Sequence, residues 1–418
     1  MDNNINKEKK VELLSPAGDM FKLNHAIRYG ADAVYFGLGG FNMRAYAGSF
    51  GPAEVAEAVK LCHSHGVKAY LAVNTLVHED DMEQLMGQLE KLTDPLPDAV
   101  IVGDAGVLKL VRAVLGDGVD IHVSTQMGVT NSLSALAFKE LGAKRVVLAR
   151  ELRLCDINGI TERVGSGIES EVFVHGAMCI AYSGRCLISA YLNGRGANSG
   201  ACTQPCRWEY QALSLWEKQK GHSLIVEQQQ GQSFVMSSKD LCMVEYIPEL
   251  MECGIDSFKI EGRMKSAYYT AMTTSAYRKA LDCYYAKEAC DTKALKEMVE
   301  SVSHREYSTG FFFDKPDENP QVTEGGYIVM TQYIASATED GPKNGLYPFL
   351  LKNKITPGME LELIGPGGRA EKFTAGAIYD KDLTAVAAAD RPEQIYYLEL
   401  PCKASPYDML RTPVKIKM

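Results

Sequence analysis

Four of the chain's eleven cysteines lie in the stretch HGAMCIAYSGRCLISAYLNGRGANSGACTQPCRWEY, residues 175–210. Six residues separate Cys179 from Cys186, and Cys202 and Cys206 form a C-x3-C pair. Paired short spacings let one loop present two thiolates to the same centre, and four thiolates suit an iron–sulfur cluster or a zinc ion. The spacing matches neither the repeated C-x2-C pattern of many zinc sites nor the cysteine runs of ferredoxins, so it leaves the metal open. The alternative is four buried cysteines with no common role.

The rest of the composition indicates a reducing environment for these thiols. The amino-terminal residues MDNNINKEKKVELLSPAGDM lack the apolar segment and cleavage site of a signal peptide, and no apolar run is long enough to span a bilayer. We therefore expect a cytoplasmic protein without membrane segments, in which a cysteine cluster indicates metal or catalysis more often than disulfides. The net charge of −9 argues against a basic coat for nucleic acid but is compatible with a local basic groove.

Apolar, β-branched runs alternate with amphipathic helical patterns over the first part of the chain. Strands are predicted at 11–16, 33–38, 68–73, 98–103, 120–125, 145–150, 171–176 and 257–262. Continuous apolar runs are typical of parallel strands buried on both faces, and eight of them with intervening helices predict a TIM-type (β/α)8 barrel. A doubly wound open sheet is the alternative.

The length of the chain and its changes of pattern predict several regions. Residues 1–10 are predicted to be a disordered tail, 11–320 the barrel, and 321–418 a small all-β barrel domain. An insertion after strand seven, residues 177–238, holds the cysteines and a predicted hairpin or small sheet with turns around Gly221 and Gly231. It leaves from the carboxyl end of a barrel strand, which is the face on which barrels build active sites.

The cysteine stretch resembles a known family when it is taken with ELLSPAGD, GADAVYFGL, KAYLAVNT, HVSTQM and SFKIEGRMKSAYY. That family is the collagenase-like peptidase family U32, and the resemblance covers nearly the whole chain. Within it, the two-domain layout and the CRWEY ending look most like the tRNA hydroxylation proteins, which make 5-hydroxyuridine at the wobble position and depend on prephenate. Related members hydroxylate a cytidine of ribosomal RNA or act in ubiquinone hydroxylation.

The resemblance implies a cofactor and partners. The related family members carry a four-iron four-sulfur cluster on cysteines of this motif. The resemblance also implies prephenate as co-substrate and the anticodon loop of tRNA as partner. Cys242, in SSKDLCMVEY, is a rival that becomes a ligand only if Cys206 is not, and zinc stays the alternative metal. The implied cluster ligands are Cys179, Cys186, Cys202 and Cys206.

A barrel brings the carboxyl ends of its strands together, so polar side chains at those ends are candidate site residues. A dicarboxylate such as prephenate needs forked cationic donors, which arginine provides. Salt bridges at the barrel rim are the alternative role for the charged members. The candidate catalytic residues are Lys259, Glu261, Arg263 and His175, and the candidate substrate-binding residues at the rim are Arg44, Asn74, Gln126 and Arg150.

The insertion also interleaves arginines with aromatic residues, a pattern suited to phosphate contacts and to stacking an unpaired base. The same aromatics could instead shield the cluster from water. The candidate RNA-binding arginines are Arg185, Arg195 and Arg207, near Tyr182, Tyr191, Trp208 and Tyr210.

The family's peptidase label finds little support in the residues. The sequence contains neither H-E-x-x-H nor G-x-S-x-G, and His175, four residues before Cys179, is the candidate base for a Cys/His pair. A structural histidine at a strand end is the alternative. The resemblance therefore predicts a tRNA uridine hydroxylase with an iron–sulfur cluster. The alternatives are a collagenase-like peptidase, a hydroxylase of a ribosomal RNA cytidine, and a non-catalytic RNA-binding factor.

Overall fold

The computed structural model describes residues 10–44, 48–179, 181–182, 186–208, 238–313 and 327–414, together with four two-residue strands between 209 and 237. Seven strands alternate with helices in the first part of the chain. The strands are β1 (Glu12–Pro16), β2 (Ala33–Gly37), β3 (Lys68–Val73), β4 (Ala99–Val102), β5 (Asp120–Val123), β6 (Arg145–Val147) and β7 (Glu169–Ala177). The helices that follow the first six are α1 (Met20–Arg28), α2 (Pro52–Ser64), α3 (Met82–Leu89), α4 (Ala105–Leu115), α5 (Ser132–Glu140) and α6 (Leu154–Val164).

The insertion after β7 contains one short helix and several short strands. The helix α7 spans Ile188–Asn193. Two antiparallel pairs follow, on either side of residues 217–222 and 230–231. These strands are β8 (Leu215–Trp216), β9 (Ser223–Leu224), β10 (Gln228–Gln229) and β11 (Gln232–Ser233). The predicted turns at Gly221 and Gly231 themselves lie outside the described residues. The chain then forms β12 (Asp240–Cys242), which pairs antiparallel with the end of β7.

An eighth parallel strand closes the barrel. After α8 (Ile247–Glu252), β13 (Ser257–Ile260) pairs with β7 on one side and with β1 on the other. The strands are buried along nearly their whole length, as in the BBBB pattern of β4, because the barrel's inner and outer faces are both covered. The predicted TIM-type barrel is therefore confirmed, and the open doubly wound sheet is excluded.

A second compact unit contains α1, the helices α9 (Ala267–Ala286) and α10 (Thr292–Glu300), and an antiparallel sheet. The first unit contains the barrel strands, the insertion and the short β14 (Tyr307–Ser308). The sheet's strand order is β18-β17-β22-β15-β16-β21-β19-β20, which leaves it open at β18 and β20 as a partial barrel. Its core includes Phe349, Leu363 and Leu410, so the predicted all-β domain is confirmed. Its strands are β15 (Thr331–Ala337), β16 (Tyr347–Leu351), β17 (Glu360–Ile364), β18 (Ala370–Thr374), β19 (Ile378–Tyr379), β20 (Ala385–Val386), β21 (Ile395–Leu398) and β22 (Met409–Pro413).

Buried charged side chains on the barrel strands form ion pairs with one another. The Arg145 guanidinium is 2.5 Å from Glu12 and 3.1 Å from Glu171, and Lys259 Nζ donates to Glu171 at 2.8 Å. Unpaired charges at these depths would be costly, so each cation here is matched by a carboxylate. Lys259, a candidate catalytic residue, is thus held in a buried ion pair.

Among the described residues, no helix is long and apolar enough to cross a bilayer.

Gly176 lets β7 pass directly beside β13. Its φ is +109°, and a Cβ at this position would lie 2.4 Å from the backbone oxygen of Glu261. We therefore expect Gly176→Ala to lower the free energy of unfolding by about 2–4 kcal/mol, through left-handed strain and a clash that no side-chain rotation relieves. Urea unfolding of the full chain measures the change.

The matched control is Gly87→Ala, because Gly87 lies in helix α3 with nothing within 4 Å of the added Cβ. That change should raise stability by roughly 0.5–1 kcal/mol. Equal stabilities of the two variants would contradict the close approach of β7 and β13.

Candidate functional site

Four cysteines line one cavity where β7 ends. The cavity is lined by Cys179, Cys186, Cys202 and Cys206, together with Met178, Ile188, Pro205 and Arg207. Burial raises the pKa of the Cys206 thiol, Arg207 opposes that rise, and the other three thiols add to it. Thiols interact electrostatically in this way only when they lie near one another. We call this space the thiol cavity.

The insertion holds the thiols through local hydrogen bonds. Ser189 Oγ on α7 accepts from the Thr203 backbone at 3.0 Å, and Asn193 Nδ2 donates to Thr203 Oγ1 at 2.8 Å. The Gln204 amide lies 3.4 Å from Cys202 Sγ and donates to it. An amide donor at sulfur stabilises thiolate character, which is one of the ways a protein tunes a metal–sulfur centre. The loop that carries Cys202 is therefore fixed against α7.

A second cavity occupies the mouth of the barrel and adjoins the first. We call it the arginine pocket, because Arg44, Arg150 and Arg263 line it around Glu261. Both cavities share five lining residues, which are Met43, Arg44, Thr125, Gln126 and Arg150. Three of the predicted rim residues, Arg44, Gln126 and Arg150, therefore lie at the boundary of the arginine pocket with the cavity that the four cysteines line.

The charges of the arginine pocket do not balance among its lining residues. Arg44 donates to Glu261 at 2.8 Å, and Glu261 is the one acidic side chain among the described residues that line the pocket. Burial alone would raise the pKa of Glu261, but Arg44, Arg150 and Arg263 outweigh it and lower the pKa to about 2. Three guanidiniums and a single carboxylate give the lining of this pocket an excess of positive charge, which favours an anionic ligand.

Arg150, like Arg44, lines both cavities. Its Nη1 donates to the Ala177 carbonyl at 2.9 Å, and its plane lies over the Phe173 ring at 3.8 Å. Its buried Nε has no hydrogen-bond partner among the described residues. Burial lowers the pKa of Arg150, while Glu261 opposes that shift. Arg150 is thus oriented by backbone and aromatic contacts and keeps a donor for a ligand.

The amide side chains of the rim have different surroundings. Asn74 accepts from the Met43 amide at 3.2 Å and donates to Ser124 Oγ at 3.3 Å, so it supports the loop that carries Arg44. Gln126 lines both cavities, and its buried Oε1 has no partner within the described part of the chain. Gln126 is therefore placed to accept a hydrogen bond from a ligand.

Several candidate residues lie elsewhere. His175 is buried and lines neither cavity, and its Nε2 lies 3.4 Å from the Tyr307 hydroxyl. Cys242 faces His175 across the β7–β12 pair and also lines neither cavity. Arg207 lines the thiol cavity, Arg195 is half-buried outside both cavities, and Arg185 lies outside the described residues.

Tyr35 is a site residue that the sequence analysis did not identify. Its hydroxyl donates to the Ile260 carbonyl at 3.0 Å and lies 3.3 Å from Glu261 Oε2. The Lys259 ammonium lies 4.5 Å from the centre of its ring. Tyr35 stands in the apolar run AVYFG, and the two-residue alternation along a strand was the available signal that its side chain faces inward.

The low pKa of Glu261 predicts a specific dependence of stability on pH. Its folded pKa of about 2 lies below its ordinary value of 4.5. The stabilisation is therefore complete above about pH 4.5 and is lost as the pH falls towards 2, for a total of about 3 kcal/mol. We expect Glu261→Gln to remove this part of the acid destabilisation. Urea unfolding at several pH values between 5 and 3 measures it.

Glu83→Gln is the control, since Glu83 is exposed on α3. It should keep the wild-type slope. A Glu261→Gln variant whose stability fell as steeply with acid as the wild type would contradict this electrostatic description.

Comparison with known protein families identifies a family for both parts of the chain. The sequence profile described as "Peptidase family U32" matches residues 18–321, and that described as "Peptidase family U32 C-terminal domain" matches residues 331–411. The four cysteines and the arginine pocket all lie within the first match.

Three relatives illustrate the names that accompany this similarity. "tRNA hydroxylation protein P1" of Bacillus subtilis is 37% identical over 96% of this chain and 95% of its own length. "Collagenase" of Porphyromonas gingivalis is 30% identical over 97% of this chain and 95% of its own length. "23S rRNA 5-hydroxycytidine C2501 synthase" of Escherichia coli is 37% identical over 65% of this chain and 39% of its own length.

Proposed function

Because the chain belongs to peptidase family U32, we propose that it is an RNA-modifying enzyme that forms 5-hydroxyuridine at the wobble position of tRNA in the cytoplasm. We propose prephenate as its co-substrate and a four-iron four-sulfur cluster as its cofactor. The observation that carries this proposal is that the thiol cavity and the arginine pocket adjoin and share five lining residues. A relative named as a tRNA hydroxylation protein aligns over nearly the full length of both chains, which supports tRNA as the substrate.

The donor set of the thiol cavity suits the proposed cluster. In the described residues, no group of three or more His, Cys, Asp or Glu side chains is placed to hold one metal ion. The four thiols instead line a common cavity. A cubane cluster needs that arrangement because each cysteine binds a different iron, whereas a zinc ion needs all four sulfurs within about 2.3 Å of one point. Cys179, Cys186, Cys202 and Cys206 would hold the cluster, which supplies a redox centre when bound.

The arginine pocket suits a dicarboxylate. Arg150 keeps a buried donor, and Arg44 and Arg263 add positive charge beside it. A carboxylate that enters the pocket gains charge-assisted hydrogen bonds, which are stronger beside buried side chains than in bulk water. We assign prephenate to this pocket, with Arg150 orienting one carboxylate and Gln126 accepting from the ligand's hydroxyl.

The peptidase alternative has less support in the geometry. A thiol peptidase needs a histidine base beside its cysteine. No histidine lines the thiol cavity among the described residues, and His175 contacts Tyr307 instead. A ribosomal RNA cytidine is the second candidate substrate, because a relative named "23S rRNA 5-hydroxycytidine C2501 synthase" aligns with 65% of the chain.

Nucleoside analysis of a deletion strain tests the proposal. Bulk tRNA from the strain is digested and analysed by mass spectrometry for 5-hydroxyuridine and its derivatives, with wild-type complementation as the control and any redundant pathway also deleted. We expect these nucleosides to disappear and to return on complementation. Unchanged wobble uridines, or a loss confined to 5-hydroxycytidine in ribosomal RNA, would contradict the tRNA assignment. A purified chain that cleaves gelatin without other proteases would favour the peptidase.

A further inference from the structure

Helix α7 presents an apolar surface next to the thiol cavity. In the part of the chain that the structure describes, Leu187, Tyr191 and Leu192 are 70%, 88% and 50% exposed. Ser189 is two residues from both Leu187 and Tyr191 and therefore points away from them; it is buried and accepts a hydrogen bond from the Thr203 backbone, which fixes the helix against its loop. Ile188, the first residue of α7, lines the thiol cavity. We call the exposed set Leu187, Tyr191 and Leu192 the α7 platform.

An exposed platform of this kind indicates a binding partner. Large apolar side chains that cluster on a surface mark interaction sites more often than isolated ones do. Leu187 and Tyr191 are four residues apart and therefore lie on the same face of the helix. Tyr182 and Trp208, 48% and 42% exposed, add two further aromatic side chains in the same insertion. Trp208 is oriented by its Nε1, which donates to the Thr203 carbonyl at 3.2 Å.

The local charge identifies the chemistry of that partner. Between Val172 and Trp208 the sequence contains three arginines and no aspartate or glutamate, although the whole chain has 53 acidic residues and a net charge of −9. A segment without acidic residues inside an acidic protein attracts polyanions locally and repels them elsewhere. Aromatic side chains interleaved with arginines match the bases and phosphates of a single-stranded RNA.

We propose that the α7 platform stacks an unpaired base of the RNA substrate, with Tyr191 as the stacking side chain. The inference rests on the proposed function and adds to it the surface that holds the RNA loop beside the thiol cavity. Base–aromatic stacking tolerates any base, so the platform gives affinity for an open loop and leaves the choice of nucleotide to the cavity. An anticodon loop presents such bases at low unstacking cost.

Direct binding measurements on the full chain test the platform. The probe is a fluorescein-labelled RNA hairpin with the loop of a tRNA anticodon arm, followed by fluorescence anisotropy at fixed salt. We expect Tyr191→Ala to weaken binding about 10-fold, the usual effect of losing one stacked base. Tyr191→Phe should bind as wild type, whereas Tyr191→Leu should resemble the alanine variant. Tyr284→Ala is the matched control, because Tyr284 is 39% exposed on α9.

The outcomes separate this inference from the proposed function. If the wild type binds the hairpin and Tyr191→Ala binds equally well, the platform is not the RNA site, although the nucleoside analysis of the deletion strain still stands. If Tyr191→Leu binds as well as Tyr191→Phe, the contact is apolar, as for a protein partner, and the stacking proposal is overturned. A wild type that does not bind the hairpin also overturns it. Circular dichroism of each variant establishes that the chain as a whole remains folded.

Discussion

Cys202→Ser is expected to remove most of the iron and sulfide from the anaerobically purified protein. Cys202 lines the thiol cavity, and its Sγ accepts a hydrogen bond from the Gln204 amide. A serine hydroxyl is a poor ligand for iron because it stays protonated where a thiol does not. Loss of a group that hydrogen-bonds to a metal ligand typically lowers metal affinity roughly 10–100-fold. Loss of the ligand itself should lower the affinity for the cluster by more than this. Iron and acid-labile sulfide per chain, together with visible absorbance, measure the effect.

Cys242→Ser is the matched control for this prediction. Cys242 is half-buried on β12 and lines neither cavity, so its replacement should leave the iron content at the wild-type value. A Cys202→Ser protein with full iron and sulfide, or a Cys242→Ser protein without them, would contradict the ligand set. A colourless wild type with one zinc ion per chain would contradict the cluster itself.

Arg150→Met is expected to weaken prephenate binding about 10–100-fold. In the wild type the Arg150 guanidinium lies over Phe173, and its buried Nε has no partner among the described residues. The methionine variant removes this guanidinium at a similar side-chain volume. Charge-assisted hydrogen bonds contribute about 1.5–3 kcal/mol, which corresponds to that range. Arg150→Lys should recover only part of the affinity, because an ammonium cannot bind a carboxylate through two parallel donors. Isothermal titration of the anaerobic protein with prephenate measures the dissociation constant.

Arg153→Met serves as the control, since Arg153 lies on the surface at the start of α6 and pairs with Asp156 at 2.9 Å. It should bind prephenate as the wild type does. Unchanged affinity in Arg150→Met, with the protein folded and its iron retained, would place the ligand outside the arginine pocket.

Local sequence patterns were sufficient to predict the barrel and the grouping of the four cysteines at one site. Each strand is an apolar run of a few residues, and eight such runs separated by helical patterns have one common closed arrangement. The four cysteines lie close in sequence, so the loop that joins them needs no long-range information to bring them together. The rim residues Arg44, Arg150 and Glu261 followed from barrel geometry once strand ends were located.

Features that depend on strand neighbours could not be predicted from local patterns. Lys259 pairs with Glu171, which is distant in sequence, and only the β7–β13 register places the two side chains together. His175 stands two residues after Phe173, so simple alternation would direct it into the barrel. The pairing of β7 with β13 shifts by one residue between Lys259 and Ile260. Ile260 therefore pairs with His175 and not with Val174. Such an irregularity re-aims the side chains that follow it, and His175 contacts Tyr307 as a result.

The most direct measurement of the central claim is 5-hydroxyuridine in the tRNA of a deletion strain that carries single-residue variants. If the thiol cavity and the arginine pocket form one site for RNA hydroxylation, Cys202→Ser and Arg150→Met should both fail to restore the nucleoside, while Cys242→Ser and Arg153→Met restore it fully. Equal protein levels, checked by immunoblot, make the comparison valid. Full restoration by either Cys202→Ser or Arg150→Met would contradict the account.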